Sequence, residues 1–232
     1  MPKVFIGVGH GGKDGGAAAA GLVERDVNLI MATACATTLQ AAGVSVRMSR
    51  TTNTETDTVS QEVAECRAYK PDVAIEIHNN AGGGDGFEVF TNREASSLQL
   101  TEYIQREVLA IGQNSRGLKY NSNLAWTKQQ GYPVVLCEGF FLDNAKDRQL
   151  FDTVAEQQRL GVAYAKGILK YLGVPLPSAA EQFVLLLDGE PVEVVGQKFN
   201  GNYYIKLREL SKLFPCEVGY NMAKAKPYVK TW

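Results

Sequence analysis

The sequence predicts an α/β domain, a largely parallel sheet with helices on both faces, followed by a small α+β module. Three observations lead there. Short apolar segments alternate with helical runs across residues 3–172, the pattern of strands joined by crossover helices. The stretch Gly173-Val174-Pro175-Leu176-Pro177-Ser178-Ala179-Ala180 then breaks the alternation with two prolines and small residues, the texture of a linker. Beyond it, Asp188-Gly189 and Asn200-Gly201 separate apolar runs, which is hairpin chemistry. The expected boundaries are 1–174 for the large domain, 175–181 for the linker and 182–232 for the module.

Val4–Gly9 is an apolar run ending in glycines and reads as a buried strand. A Gly-rich loop and an alanine run follow. From about Leu22 to Ala42 the pattern is helical, with Val27, Ile30, Met31, Ala34 and Leu39 on one stripe and Gly43 as the stop. Val44–Met48 is a second strand and Thr56–Tyr69 a helix ending before Pro71. Asp72–His78 alternates Val73, Ile75 and Ile77 against Ala74, Glu76 and His78, a strand with two different faces. Gly86–Thr91 is a strand, Ala95–Ile111 a helix, Tyr132–Glu138 a strand, and Asp147–Leu172 one or two helices. In the module, Phe183–Leu187 and Pro191–Val195 form a hairpin, Leu207–Phe214 a short helix, and Glu217–Tyr220 and Tyr228–Trp232 closing strands.

Of the 232 residues, 45% are apolar and 21% charged, which excludes a disordered chain. The 24 basic and 25 acidic residues nearly cancel, so the surplus of positive charge expected of a nucleic-acid binder is missing. No apolar run approaches the ~18 residues of a membrane helix, and membrane insertion is not expected. Cys35, Cys66, Cys137 and Cys216 form no C-x-x-C pair and read as buried small hydrophobes in a reducing compartment. The chain has only two histidines, His10 and His78.

In a parallel α/β sheet, ligands bind beyond the carboxyl ends of the strands. His10 follows the first strand, His78 ends the Val73–Ile77 strand, and Glu138 ends the Val134–Cys137 strand. Glu24 opens the first long helix, so the preceding loop returns it to the same rim. Both histidines and two carboxylates thus converge on one edge. Two imidazoles and a carboxylate are a common ligand set for catalytic zinc, with a position left for water. A further carboxylate is then needed to move protons, and Glu138, after an apolar strand, is placed for that.

Other chemistries fit less well. Gly7-Val8-Gly9-His10-Gly11-Gly12-Lys13 matches the phosphate-binding loop pattern, but Asp14 stands where Ser or Thr should hold magnesium. No G-x-S-x-G elbow exists for a serine nucleophile. Strand alternation points Cys137 away from Glu138.

Four blocks resemble the zinc-dependent N-acetylmuramoyl-L-alanine amidases of the amidase-3 family. They are Val4–Gly16 with Gly21–Leu29, then Leu39–Arg50, Asp72–Ala81 and Pro133–Asn144, in that order. The resemblance implies that His10, Glu24 and His78 are zinc ligands and that Glu138 is the catalytic acid/base. The implied reaction is hydrolysis of the amide between the lactyl group of N-acetylmuramic acid and L-alanine of the peptidoglycan stem. Two positions depart from the family pattern. Glu76 replaces a frequent Ser, and is either a partner that orients a ligand or a paired acid deeper in the sheet. Glu62 stands where an Arg is frequent. The loop Gly82-Gly83-Gly84-Asp85-Gly86 either shapes the groove or is a plain connection.

The tail resembles a copper-amine-oxidase N-terminal-like module, carried by Asn200–Leu210, with no copper implied. It is expected to bind cell wall or to mediate self-association, with Tyr203, Tyr204, Tyr220, Tyr228 and Trp232 forming either a wall-binding face or a core. The opening Met1–Gly7 enters a strand at once, without the regions of a signal peptide. The expectation is therefore a phage endolysin made in the cytoplasm that acts on the wall after release, with a host autolysin or cortex amidase as the alternative. The alternative of another class is an inactive wall-binding or scaffold protein. The intact His10, Glu24, His78 and Glu138 set speaks against it.

Overall fold

The structure is a computed structural model. It describes residues 1–55, 58–121, 123–129, 131–176, 181–187, 190–199, 202–205, 213–214, 216–221 and 226–231. The chain divides into two compact units, Met1–Leu176 and Pro177–Trp232.

The first unit runs β1 (Lys3–Val8), a short hairpin of β2 (Ala18–Ala19) and β3 (Leu22–Val23), α1 (Glu24–Ala41), β4 (Ser45–Met48) and α2 (Val59–Tyr69). It continues with β5 (Val73–Asn80), β6 (Phe87–Thr91), α3 (Ala95–Ala110), β7 (Ser115–Lys119), a 3-10 turn at Trp126–Lys128, β8 (Val134–Phe141), α4 (Ala145–Phe151) and α5 (Val154–Leu172). Six strands form one sheet in the order β4-β1-β5-β8-β6-β7. The strands β4, β1, β5 and β8 are parallel. At the other edge β6 runs antiparallel to β8, with β7 parallel to β6. The sheet is mixed and mostly parallel, flanked by helices.

Alternation along the strands sorts the core into two layers. Val4, Ile6, Val73, Ile75, Ile77, Val135 and Cys137 pack under α1, α3 and α5 in one cluster with no gap to solvent. Phe5, Ala74, Val134 and Leu136 face the opposite way, against Val63 and Cys66 of α2 and the indole of Trp126. Trp126 Nε1 donates to the Val135 carbonyl at 2.8 Å, which satisfies a donor that burial would otherwise strand.

Several expectations shift by a residue or a face. The buried stripe of α1 runs through Val27, Met31, Cys35 and Leu39, flanked by Ala32 and Ala36. Ile30 and Ala34 lie at its margin. The last helical stretch is two helices. Thr153 breaks it and caps α5 in a capping box with Glu156, a motif worth about 1 kcal/mol. Thr58 and Gln61 open α2 in the same way. The strand β8 continues three residues past Glu138, so Glu138 is internal to the strand rather than at its end. Gly139-Phe140-Phe141 keeps the chain extended because both phenylalanines are buried. Strand β7 and the hairpin β2–β3 carry no apolar alternation and escaped prediction. Cys35, Cys66 and Cys137 are free and buried. Among the described residues no helix is long and apolar enough to cross a membrane.

In the second unit, β9 (Glu181–Leu187), β10 (Glu190–Phe199) and β11 (Asn202–Ile205) form an antiparallel sheet. A second pair is β12 (Cys216–Asn221) with β13 (Lys226–Thr231). The Asp-Gly and Asn-Gly turns, the tyrosine and tryptophan side chains and nearly all of the 207–214 helix lie outside the described residues.

Among the described residues, both apolar clusters draw their members from the first unit, the last being Val174. A chain ended after Leu176 is expected to give one cooperative melt with native far-UV circular dichroism. A broad melt with exposed hydrophobic surface would show that the first unit depends on the second.

Candidate active site

The site lies on the sheet face that α2 only partly covers, where β1, β5 and β8 run side by side. Cα register pairs His78 with Glu138 on adjacent parallel strands. Strands sit ~4.8 Å apart and paired residues point to the same face, so these two side chains are neighbours. His10 lies two residues beyond β1. Its φ is 63°, the left-handed region that costs a non-glycine residue ~1 kcal/mol or more. The loop is held in that shape from below. Arg50, only 2% exposed, donates to the carbonyls of Val8 at 3.0 Å, Gly9 at 3.1 Å and Arg25 at 2.8 Å.

Glu24 is the first residue of α1, where an acidic group also meets the positive end of the helix dipole. The β2–β3 hairpin folds the chain back, so that Glu24 N–H donates to the Ala17 carbonyl at 2.8 Å. The buried carboxylate then lies between the two imidazoles. His10 Nε2 is 3.1 Å from Glu24 Oε2, and His78 Nδ1 is 3.1 Å from Glu24 Oε1. Their candidate ligand atoms all lie within 4.8 Å of one another. Each ring has a carboxylate behind it as well. His10 Nδ1 meets Asp14 Oδ2 at 2.9 Å and His78 Nε2 meets Glu76 Oε1 at 3.3 Å.

The electrostatics follow from this packing. Burial alone would push the Glu24 carboxyl up, but hydrogen bonds from His10 and His78 outweigh it and hold the group well below the usual carboxylate range. The bond to Glu24 raises His10 against the pull of desolvation. Burial acts to lower His78, yet its bonds to Glu24 and Glu76 keep it well above an ordinary imidazole. Glu138 behaves oppositely. Burial pushes its carboxyl up to about 8, and the charges of Glu24, Glu88 and Glu76 add to this against the charge of His78. Its Oε2 is buried with no hydrogen-bond partner.

Two glycines make the site possible. A Cβ on Gly9 would lie 2.2 Å from His78 Cε1, and one on Gly16 would lie 2.5 Å from Glu24 Oε2. A cleft of about 150 Å³ opens here, lined by Gly9, His10, Asp14, Glu62, Glu76 and His78 among others. The four residues singled out by sequence come together in one place. Glu62 lies at the inner wall of this cleft. It is buried and accepts from Val8 N–H at 3.1 Å. The loop 82–86 is tied down. Asp143 accepts from the N–H groups of Gly82 and Gly83, both at 2.9 Å, and Asp147 accepts from Gly86 N–H at 2.9 Å.

Sequence reasoning missed three supports. Asp14 lay in a quoted motif, and its spacing of four from His10 was a usable signal. Asn79 donates its backbone N–H to Glu24 Oε1 at 3.1 Å and its amide to Asn28 at 2.7 Å. Arg116 binds Glu88 at 2.6 Å, beside Glu138. Neither had a periodic or motif signature.

A model of the N-acetylmuramoyl-L-alanine amidases (Amidase_3) matches residues 4–170. The chain belongs to that family. The amidase is 30% identical over 184 residues to the N-acetylmuramoyl-L-alanine amidase CwlM of Bacillus licheniformis, covering 78% of this chain and 72% of that one. It is 29% identical over 181 residues to the endolysin of Bacillus phage SPP1, covering 74% of this chain and 66% of that one. Among solved structures, the catalytic domain of CwlV, an N-acetylmuramoyl-L-alanine amidase from Bacillus (Paenibacillus) polymyxa var. colistinus, superposes with a TM-score of 0.69. Its identity is 28%, and the match spans 75% of this chain and 100% of that one. The family match ends at residue 170, before the second unit.

Glu138 generates a pH test on the metal-free amidase. Its carboxyl is raised in the fold to about 8, against ~4.3 for an unfolded Glu. Its contribution to stability is therefore full below the unfolded value and is lost as pH rises through the folded one. Glu138→Gln, neutral throughout, is expected to melt with the wild type at pH 4 and above it by ~2 °C or more at pH 8.5. A constant difference across that range would remove the burial argument.

Proposed function

We propose that the protein is a zinc-dependent N-acetylmuramoyl-L-alanine amidase that opens the lactyl–alanine amide of peptidoglycan. The observation that carries the reading is one shared face holding a His-Glu-His group with Glu138 beside it on the neighbouring strand. The donor set suits zinc in kind and number, with two imidazoles and one carboxylate. The unpartnered Glu138 Oε2 suits a group whose partner arrives with substrate and water.

His10, Glu24 and His78 would hold the metal, and Asp14 orients the His10 ring. When bound, zinc supplies Lewis acidity toward a carbonyl oxygen and a water. Glu138, as carboxylate, accepts a proton from the attacking water as its oxygen bonds to the amide carbon. The same proton passes to the alanine nitrogen as the C–N bond breaks, leaving a lactyl carboxylate and a free amine. A carboxyl with a raised pKa suits both halves of this transfer at neutral pH.

In this reading the protein is a lytic enzyme of the phage endolysin type, made in the cytoplasm and acting on the wall after release. Likeness to the SPP1 endolysin supports that setting, and likeness to CwlM supports the host alternative. The second unit would tether the enzyme to the wall or join two copies of it.

Glu138→Ala is expected to keep zinc and fold while losing ~10²–10⁴ in rate, and His78→Ala to lose both metal and activity. Mass spectrometry of digested muropeptides reads the bond cut, and products that all retain the lactyl–alanine bond would refute the activity. The setting has its own test. Expressed inside a Gram-positive host, the enzyme should leave cells intact until the membrane is permeabilised, and lysis without permeabilisation favours an exported host enzyme. A chain ended after Leu176 should match the full chain on soluble muropeptides and fall behind on intact walls, because tethering raises effective substrate concentration. Equal rates on both substrates would favour the self-association role.

A further inference from the structure

We infer that Glu76 is a positioning residue for metal binding, a buried carboxylate that holds His78 by Nε2 so that Nδ1 is presented to the Glu24 side of the site. The inference rests on the zinc reading and adds to it a residue that is not itself a ligand.

Strand alternation puts residues 76 and 78 on the same face of β5. The two nitrogens of the His78 ring have separate partners. Nδ1 lies 3.1 Å from Glu24 Oε1 and Nε2 lies 3.3 Å from Glu76 Oε1. A ligating imidazole that uses Nδ1 must carry its proton on Nε2. A carboxylate at Nε2 fixes that tautomer, fixes the ring's rotation and raises the electron donation of the other nitrogen.

Glu76 is unusually committed to this contact. The residue is 4% exposed, and the His78 ring is the one hydrogen-bond partner of its carboxylate among the described residues. A buried carboxylate is costly unless a donor meets it, so the fold has placed it there for that donor. The space is made by Gly7, its register partner on β1. A Cβ at Gly7 would lie 3.1 Å from Glu76 Cγ. Length matters as well. Same-face residues in a strand are ~6.6 Å apart at Cα, so the Glu76 arm reaches forward along the strand to the far ring nitrogen, where a Ser would fall short.

The two contacts differ in exposure to water. The Asp14 side chain behind His10 is 70% exposed, and that of Glu76 is 5% exposed. The Asp14 contact is the shorter, 2.9 Å against 3.3 Å, but water competes for it and is largely excluded from the Glu76 contact.

The test uses the full chain and zinc alone, with affinity read by competition against a chelator. Glu76→Ala is expected to weaken zinc binding 10–100-fold, the usual cost of losing such a partner. Glu76→Gln keeps an acceptor oxygen of the same reach and is expected to lose ~10-fold or less. A purely structural role would lower the melting temperature of the metal-free protein and leave zinc affinity alone. Zinc binding by folded Glu76→Ala within about twofold of the wild type overturns the inference. Should Glu76→Ala fail to fold, the nitrogen-15 spectrum of zinc-loaded wild type decides. A proton on His78 Nε2 supports the inference, and a proton on Nδ1 overturns it. A wild type that binds no zinc at all is a different result, because it removes the metal reading itself.

Discussion

The site depends on one buried carboxylate. Glu24 has both oxygens engaged. Oε1 takes His78 Nδ1 and the Asn79 N–H, and Oε2 takes His10 Nε2 and the Ala17 N–H. Burying a carboxylate costs several kcal/mol unless its lone pairs are met, and here four donors meet them. The donors come from three separate stretches of chain: the loop after β1, the β2–β3 approach and the end of β5. Much of the local irregularity serves that convergence. The left-handed backbone at His10, the glycines at 9 and 16, the two-residue strands of the hairpin and the buried guanidinium of Arg50 all act to bring those donors to one point.

The asymmetry of the sheet explains why chemistry sits where it does. One face is sealed by α1, α3 and α5 and carries only apolar side chains from β1 and β5 as far as Ile77. The other is covered by α2 and Trp126 over one half and left open over the rest. Alternation puts Glu76, His78 and Glu138 on that second face, while Ile75, Ile77 and Cys137 point into the sealed core. Cys137 is thereby excluded as a nucleophile by its direction and by burial, which holds its thiol well above the ordinary range.

The alternation of strands and helices was legible because burial on one side leaves a periodic trace. Val73, Ile75 and Ile77 announce β5, and Val134-Val135-Leu136 announces β8. The direction of β6 was not legible, since a Phe-Glu-Val-Phe segment reads the same whether it runs parallel or antiparallel to its neighbour. Strand β7, Ser-Arg-Gly-Leu-Lys, has no apolar face to detect, because it lies at the sheet edge and is half in water. His10, Glu24, His78 and Glu138 could be found from strand ends and motif blocks. Of their supports, only Asp14, four residues from His10, left a spacing signal. Arg50 and Asn79 act through backbone carbonyls and N–H groups, and such contacts leave no spacing rule in the sequence.

The antiparallel turn of β6 has a chemical consequence. It sets Glu88 directly across from Glu138, with both side chains on the open face. A charge on Glu88 acts to raise the Glu138 carboxyl, and the surroundings of the two acids differ. Glu88 is held by the Arg116 guanidinium at 2.6 Å, with Asp85 3.8 Å from the same group. Glu138 has no ion pair among the described residues and carries a buried, unpartnered oxygen. The guanidinium therefore pairs with Glu88, while burial pushes the Glu138 carboxyl up to about 8. The edge of the sheet that departs from the parallel pattern thus sets an acid paired with arginine beside one whose buried oxygen has no partner.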